Sequence, residues 1–309
     1  MSRETLHLHL LKNLNVVSVL LPTYNRAHLL SETIQSVLAQ EYADLELLVL
    51  DDGSEDATRD LVLSIRDPRI NYLPFPHTGH TGRLKNAGIR ASKGDYIAFI
   101  DSDDTWKPGK LRKQLDLLEC NPGIGFSITD VTTFRDETVL IDRTYTFRQL
   151  HTVECRSIFQ WMEESRFIVY NPTLIIRKGC LDRIGYFSET MRSGDYNFNC
   201  RLAYHYHAGI LYEPLVMRRV HDANMSREIP FENYAEYLET FDYLYAEKMI
   251  EKRYWRKAKG NAFFKMGKLH AARGNWDKAQ QDYRRALHYT PLKTIAYRGL
   301  WEAFWHSRR

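Results

Sequence analysis

The chain has 309 residues, 44% of them hydrophobic, and its 43 Lys and Arg against 39 Asp and Glu leave a formal net charge of +4. This near balance is not typical of a dedicated nucleic-acid binder, so no nucleic-acid polymer is expected as a partner. The length exceeds that of a typical single domain of roughly 100 to 200 residues, which predicts one large domain and an appendage.

No segment of the given sequence has the pattern expected of an export signal or of a bilayer anchor. No apolar run approaches the roughly 18 residues that span a membrane. Residues 1–15 lack the apolar centre of a secretory signal, and the four cysteines form no CxxC pair. We therefore expect a cytoplasmic protein that could still sit at the inner face of the membrane.

Short β-branched runs alternate with helical patterns in the first hundred residues. Strands are predicted at 16–21, 45–50, 70–73 and 96–100, and helices at 29–38, 56–65 and 84–91. This alternation is typical of a mostly parallel sheet that is flanked by helices on both faces. The predicted fold class is therefore α/β.

The next hundred residues are less regular. Strands are predicted at 125–129 and 173–176, and helices at 111–118 and 195–206. We expect this part to complete the sheet and to form the pocket of a second substrate. From Phe231 onward the pattern is helical, which predicts a first domain at 1–229 and an all-α appendage at 230–309.

The appendage contains the spacing of a single tetratricopeptide repeat at about 260–293. Small residues such as Gly267, Ala279 and Ala286 let two helices pack closely in such a repeat, although stable arrays usually contain three or more. We expect one helical hairpin, docked on the first domain or on another subunit.

Residues 298–309 mix bulky aromatic side chains with positive charge and allow two interpretations. They could form an interfacial helix that contacts a membrane. Alternatively Trp301, Phe304 and Trp305 pack on the preceding hairpin at helical spacing, which we favour. A protein partner for these helices also remains possible.

Polar clusters follow three of the predicted strands, at 22–25, 51–54 and 101–104. Ligands bind at the carboxyl ends of the strands in parallel sheets, so these clusters should line one crevice. Asp101, Asp103 and Asp104 could hold Mg²⁺ or Mn²⁺ beside a diphosphate. The alternative is an acidic turn in which Asp104 caps the helix that starts near Lys107.

The first two clusters suit a nucleoside. Asp52 can accept a hydrogen bond from a base N–H, and Tyr24 can stack on a ring. The alternatives are that Asp51 or Asp52 caps the helix after Ser54 and that Asn25 turns the chain. The loop at 77–82 contains two histidines but no adjoining carboxylate, so we interpret it as a flexible loop near the nucleotide.

The order and spacing of these motifs resemble those of the family 2 glycosyltransferases of the GT-A fold. The motifs are Pro22-x-Tyr24-Asn25, Asp51-Asp52-Gly53-Ser54, Lys85-Asn86-x-Gly88 and Asp101-Ser102-Asp103-Asp104-x-Trp106-x-Pro108. The resemblance is strong over 16–118 and persists to about 226. It implies an inverting enzyme that moves a sugar from a UDP-sugar to a hydroxyl of a glycan or glycolipid, with Mn²⁺ or Mg²⁺ as cofactor.

Carried over by position, the resemblance implies a role for individual residues. The implied donor-nucleotide site consists of Pro22, Thr23, Tyr24, Asn25, Asp52, Lys85 and Asp103. Lys85 would lie near the diphosphate, and the metal would be held by Asp104 first and Asp103 second.

Three residues of the second part complete the implied site. Asp195 occupies the place of the family's catalytic acidic residue and would take the proton from the acceptor hydroxyl, although it could also cap the helix at 196–206. Arg219 and His221, in Arg219-x-His221-x-x-Asn224-x-Ser226, would reach the diphosphate, and His221 is a possible metal ligand.

Two other functions remain open. A nucleotidyltransferase also joins a parallel sheet to an Asp-held metal, but it would ordinarily show a glycine-rich loop after the first strand, and residues 22–26 are not one. An inactive scaffold could bind sugar nucleotides and recruit partners through the helical appendage. The presence of Asp52, Asp104 and Asp195 argues against the scaffold.

Overall fold

The computed structural model describes residues 16–145, 153–163, 167–191, 194–221 and 230–306. The chain divides into two compact units. The first contains Met1–Ile158 and Ile168–His221, and the second contains Phe159–Phe167 and Asp222–Arg309. Pro230, where the appendage was predicted to begin, is the first residue of a helix.

The first part of the first unit is the predicted alternation of strands and helices. The strands are β1 (Val17–Thr23), β2 (Leu45–Asp51), β3 (Ile70–Pro74) and β4 (Tyr96–Phe99), and the helices are α1 (Ala27–Leu38), α2 (Thr58–Ser64) and α3 (Thr81–Ala91). The four strands pair in parallel, and the register sets Thr23 opposite Asp51. The predicted carboxyl-end loops therefore meet at one edge of the sheet.

The second part of this unit continues the same sheet with mixed strand directions. It contains β5 (Thr105–Trp106), α4 (Lys110–Cys120), β6 (Ile124–Arg135), β7 (Thr138–Ile141), β8 (Val153–Arg156), β9 (Ile175–Arg177), α6 (Leu181–Ile184), α7 (Asp195–His205) and β10 (His207–Arg219). The strand order is β3-β2-β1-β4-β9-β6-β10-β5, with β7 beside β6 and β8 beside β10. β6 and β10 run parallel, whereas β9 and β5 pair antiparallel with their neighbours.

Strand β10 was missed by sequence reasoning although it has 13 residues. Glu213 and Pro214 interrupt its apolar pattern, and its register against β6 shifts between Leu211 and Pro214 and again between Pro214 and Val216. Because a bulge shifts the alternation of side chains, the period of two on which strand prediction depends is lost. The three short strands β5, β7 and β8 were missed as well.

Burial on both faces of the sheet explains the continuous apolar composition of β1 and β2, in which every residue is buried. Helix α3 lies very close to these strands at Gly88. A Cβ atom added there would stand 2.7 Å from Cδ1 of Leu50 and 3.0 Å from Cδ2 of Leu20. The absence of a side chain at Gly88 therefore lets α3 pack closely against the leucines of the sheet.

The second unit is helical. Its helices are α5 (Phe159–Glu163), α8 (Pro230–Ala246), α9 (Lys252–Ala272), α10 (Trp276–Tyr289) and α11 (Thr294–His306). As the small-residue pattern predicts, Gly267 of α9 packs on the ring of Tyr283, where an added Cβ atom would stand 2.8 Å from the ring. Ala279 and Tyr283 of α10 are buried together with Ala303 of α11.

The expectation that the terminal tryptophans pack on the hairpin is wrong. Trp301 is 63% exposed and Trp305 is 54% exposed. The contact with the hairpin is made by Ala303 and Leu300, on the other side of α11. Residues 307–309, which the interfacial-helix interpretation also used, lie outside the described residues. In the part of the chain that the structure describes, no helix is both long and apolar enough to cross a bilayer.

Candidate functional site

The loop after β1 combines one rigid turn with one exposed ring. Pro22 and Thr23 are the last residues of the strand. Asn25 has a positive φ of 50°, and its side-chain oxygen accepts a hydrogen bond of 2.8 Å from the backbone N–H of Glu55. Asn25 therefore shapes the edge of the crevice, as in the turn alternative. Tyr24 is 40% exposed and stacks on His77 with ring centroids 4.1 Å apart.

The hydroxyl of Thr23 is a buried polar group without a partner. The residue is 3% exposed, and its Oγ1 forms no hydrogen bond with any described residue. A buried hydroxyl without a hydrogen bond lowers the stability of the folded protein by about 1–3 kcal/mol. Such a group therefore indicates another role, for example ligand binding.

The adjacent aspartates Asp51 and Asp52 have different environments. Asp51 accepts hydrogen bonds from the backbone N–H and hydroxyl of Ser54 and from the hydroxyl of Tyr72 at 2.5 Å. Burial and this bond to Asp51 raise the pKa of Tyr72 to about 12. Asp51 therefore fixes the turn at Ser54. Neither aspartate caps α2, whose N-cap residue is Ala57.

Asp52 holds the loop at 77–82 in place. Its two carboxylate oxygens accept hydrogen bonds from the backbone N–H groups of Thr78 at 3.0 Å and Gly79 at 2.8 Å. Nδ1 of His77 lies 3.1 Å from the same carboxylate. Gly53 has a φ of 76°, and a Cβ atom there would stand 2.8 Å from the backbone N of His77. The loop that we predicted near the nucleotide is thus anchored on Asp52 and Tyr24.

The acidic loop after β4 is bound by the end of β10. The backbone N–H of Arg219 donates to Oδ1 of Asp104 at 2.9 Å, and Nε2 of His221 lies 2.9 Å from Oδ2 of Asp103. Asp104 is buried and does not cap α4, which begins at Lys110 after Gly109. The structure therefore brings together Asp103, Asp104, Arg219 and His221. Asn224 and Ser226 of the same motif lie outside the described residues.

Burial disfavours the ionised form of two carboxyl groups in the acidic loop. Burial, together with the charges of Asp103 and Asp101, raises the pKa of Asp104 well above its usual range. Desolvation is also the main reason why the pKa of Asp101 rises to about 6, with Lys85 opposing the rise and Asp103 and Asp195 adding to it. Both shifts measure a cost of ionising these carboxyl groups, which a cation placed among them would offset.

The donor set fits a hard divalent cation. Among the described residues no group of three His, Cys, Asp or Glu is placed to hold a metal by itself. Mg²⁺ is commonly bound by one or two carboxylates, with water and substrate phosphates filling the remaining positions. Asp103 and Asp104 therefore suit a metal that arrives with a phosphate-bearing substrate.

Lys85 and Asp195, which are 110 residues apart, form an ion pair inside the crevice. Nζ of Lys85 donates to Oδ1 of Asp195 at 2.6 Å. Lys85 is 2% exposed, whereas the side chain of Asp195 is 34% exposed. Asp195 is the first residue of α7 and follows Gly194, the N-cap residue, so the capping alternative is wrong. Both residues change the pKa of Asp101, so they lie in the same crevice as the acidic loop.

The side chain of Arg219 is held by protein groups. Its Nη2 donates to Oε2 of Glu32 at 2.5 Å, and its Nε donates to the backbone oxygen of Asp103 at 3.2 Å. Sequence reasoning missed Arg218, whose charge lowers the pKa values of Asp101 and Asp104. If β10 had been predicted as a strand, its last residues, Arg218 and Arg219, would have been expected at the crevice, because the strand ends there.

The chain matches the model of one protein family, "Glycosyl transferase family 2", over residues 18–193. It is 30% identical over 215 residues to an uncharacterized glycosyltransferase of Rickettsia typhi, an alignment that covers 67% of this chain and 65% of that protein. It is 42% identical over 103 residues to the UDP-Glc:alpha-D-GlcNAc-diphosphoundecaprenol beta-1,3-glucosyltransferase WfgD of Escherichia coli, over 33% of this chain and 41% of WfgD. The chain thus spans less than two-thirds of the length of these relatives.

Solved structures show the same fold. The crystal structure of S. aureus TarS 1–349 is similar with a TM-score of 0.65 at 17% sequence identity, over 94% of this chain and 89% of that one. The same fragment in complex with UDP-GlcNAc has a TM-score of 0.62 at 16% identity, over 94% and 89% of the two chains. The expected α/β fold with extra C-terminal helices is confirmed.

Proposed function

This chain belongs to glycosyl transferase family 2, and we propose that it moves a sugar from a UDP-sugar to a hydroxyl group of a glycan or glycolipid, with inversion at the anomeric carbon. One observation carries this proposal. An acidic loop that suits a metal, an aromatic platform beside an unpaired hydroxyl, and the Lys85–Asp195 pair all belong to the carboxyl-end edge of one sheet. Each of these groups has a separate task in sugar transfer.

The groups after β1 and β2 suit the nucleoside. His77 stacks on the ring of Tyr24, and the exposed part of this ring offers a surface on which a base can stack. Stacking of a base on an aromatic ring contributes about 1–3 kcal/mol to binding. The hydroxyl of Thr23 is available for a hydrogen bond to the bound nucleoside. Asp52 acts by holding the loop at 77–79 beside this platform, because its carboxylate accepts three hydrogen bonds from Thr78 and Gly79. A bond from a base N–H to Asp52 would be shared with these bonds or exchanged for one of them.

Asp104 and Asp103 would hold Mn²⁺ or Mg²⁺ in this proposal. When bound, the metal supplies positive charge that stabilises the departing diphosphate. His221 orients Asp103 through the contact at 2.9 Å, and the backbone of Arg219 fixes Asp104. The proposed contacts of Arg219 and His221 with the diphosphate would require their present bonds to be shared or exchanged.

Asp195 is the proposed base. The acceptor oxygen forms its bond to the anomeric carbon while the bond from that carbon to the β-phosphate oxygen breaks, and the hydroxyl proton passes to the carboxylate of Asp195. A single displacement of this kind inverts the configuration. Lys85 fixes the position of this carboxylate through the bond at 2.6 Å.

The relatives support the choice of substrates. The name of WfgD specifies a UDP-glucose donor and a sugar linked to diphosphoundecaprenol, and TarS has been crystallised with UDP-GlcNAc. We propose the same classes for this chain, a UDP-sugar and a glycan or lipid-linked glycan. The proposed place of reaction is the cytoplasm or the inner face of the membrane.

Calorimetric titration with UDP, in Mn²⁺ and in EDTA, tests the proposal. We expect UDP to bind in Mn²⁺ and to bind at least about tenfold more weakly in EDTA, because the carboxylates then repel the diphosphate. CDP and ADP serve as matched nucleotides. Absence of UDP binding in Mn²⁺ would contradict the donor site, and binding without turnover on a panel of UDP-sugars and acceptors would favour the inactive scaffold.

A further inference from the structure

The charge of the chain is strongly segregated. Residues 252–306 carry 13 Lys and Arg against 3 Asp and Glu, whereas residues 1–251 carry 28 Lys and Arg against 36 Asp and Glu. The small net charge of the whole chain therefore hides an acidic part and a basic part. Of the 13 basic side chains, 10 are exposed. Helices α9, α10 and α11 thus present a positive surface.

The last helix adds an aromatic face to this basic group of helices. Trp301 and Trp305 lie about 40° apart around the axis of α11, since each residue of an α-helix turns by about 100°. Their rings contact each other with centroids 5.8 Å apart, and both remain more than half exposed. The buried Ala296 and Ala303 lie on the opposite side of the helix. The tryptophans are therefore not used in the packing of this unit.

Arg298 places positive charge on the same face. By helical spacing it lies within about 60° of both tryptophans. It is exposed and bonded to Glu302 at 3.0 Å, and exposed pairs of this kind contribute little to stability. The outer face of α11 thus combines two large amphipathic rings with a cation.

We propose that the outer face of α11, defined by Trp301, Trp305 and Arg298, binds the surface of a bilayer that contains anionic phospholipids. Tryptophan is enriched at membrane–water interfaces, where its ring is buried among headgroups and its N–H remains hydrated. Basic side chains near such a surface are attracted by its negative potential. The exposed Lys and Arg of α9 and α10 supply that attraction beyond the aromatic face.

Charge complementarity selects this occupant over a second copy of the chain. Two copies that met through α11 would bring together two segments that each carry an excess of ten positive charges. Like charges at a two-fold interface oppose association, whereas an anionic lipid surface neutralises them. The inference does not depend on the proposed sugar transfer, because vesicle binding requires no nucleotide.

Co-sedimentation of the full chain with vesicles tests this surface. The vesicles consist of phosphatidylcholine alone or of phosphatidylcholine with phosphatidylglycerol. We expect binding to the anionic vesicles that high salt weakens, because salt screens charges in water. The double variant Trp301→Ala, Trp305→Ala is expected to bind at least about tenfold more weakly, because it loses the aromatic part of the contact.

The variant Tyr204→Ala is the matched control. Tyr204 is a 43% exposed aromatic residue of α7, and its removal should leave vesicle binding unchanged. Thermal unfolding followed by circular dichroism shows whether the variants are folded, and UDP binding should be equal in all of them. Equal vesicle binding by wild type and the tryptophan variant overturns the proposal, as does absence of binding by the wild type. A wild-type dimer that the tryptophan variant converts to monomer without vesicle binding assigns the face to a second copy.

Discussion

The two parts of the sheet place their functional side chains in different ways. In β1, β2 and β4 each polar cluster directly follows a parallel strand, so sequence order and position at the crevice agree. In the second part, Asp195 begins a helix and Arg219 ends a strand whose register shifts three times. The proposed nucleotide site therefore depends on local sequence signals, whereas the proposed catalytic site depends on long-range packing.

Asp195→Asn should have the largest effect, because it removes the proposed base from the second part. We expect sugar transfer to fall about 10²- to 10⁴-fold, the usual contribution of a general base. UDP binding in Mn²⁺ should remain near that of the wild type, since the asparagine oxygen can still accept the bond from Lys85. Initial transfer rates and UDP titration measure the two quantities.

The control for this variant is Asp182→Asn, an exposed aspartate of α6 in the same part of the chain. It should transfer sugar like the wild type. Transfer by Asp195→Asn at the wild-type rate would remove Asp195 as the base. Loss of UDP binding along with transfer would show that the two parts of the sheet do not have separate tasks.

Asp104→Ala tests the residue at which the two parts meet, since Asp104 follows β4 and is bound by β10. We expect UDP affinity in Mn²⁺ to fall at least about tenfold, toward the affinity in EDTA, because a direct metal ligand is lost. The affinity in EDTA should change little. Titration in both conditions gives the comparison.

Asp116→Ala, which removes an exposed aspartate of α4, is the matched control and should bind UDP normally. An Asp104→Ala protein that loses the same affinity in EDTA as in Mn²⁺ would argue for a role in folding rather than in metal binding.

Thr23→Val should have the smallest effect and the most local one. If the buried hydroxyl serves the nucleoside, UDP affinity should fall about three- to tenfold, the value of one neutral hydrogen bond. The free energy of unfolding should stay the same or increase, because an unpaired buried hydroxyl is removed. Thr23→Ser keeps the hydroxyl and should bind like the wild type. Unchanged UDP affinity in Thr23→Val would show that this hydroxyl has no role in the donor site.

Much of the fold of the first part could be predicted because its strands are short apolar runs with polar ends. The positions of Asp52, Asp103 and Asp104 at strand ends were predicted in this way. The pairing of Lys85 with Asp195 could not be predicted, since nothing local relates residues 110 positions apart. Arg218 was missed along with β10, because the bulges at Leu211–Val216 disrupt the alternating pattern. Helical spacing predicted that Trp301 and Trp305 share one face of α11. It could not predict which face of this helix packs on the hairpin.

The bond between Lys85 and Asp195 also limits which segments of this chain can be exchanged with those of its relatives. Lys85 is almost completely buried, and its anionic partner, the carboxylate of Asp195, comes from the other part of the chain. A chimera that joined residues of this α3 to a second part without a carboxylate at position 195 would leave a buried ammonium unpaired, which is strongly destabilising. Exchanges of acceptor specificity between relatives should therefore transfer these two positions together.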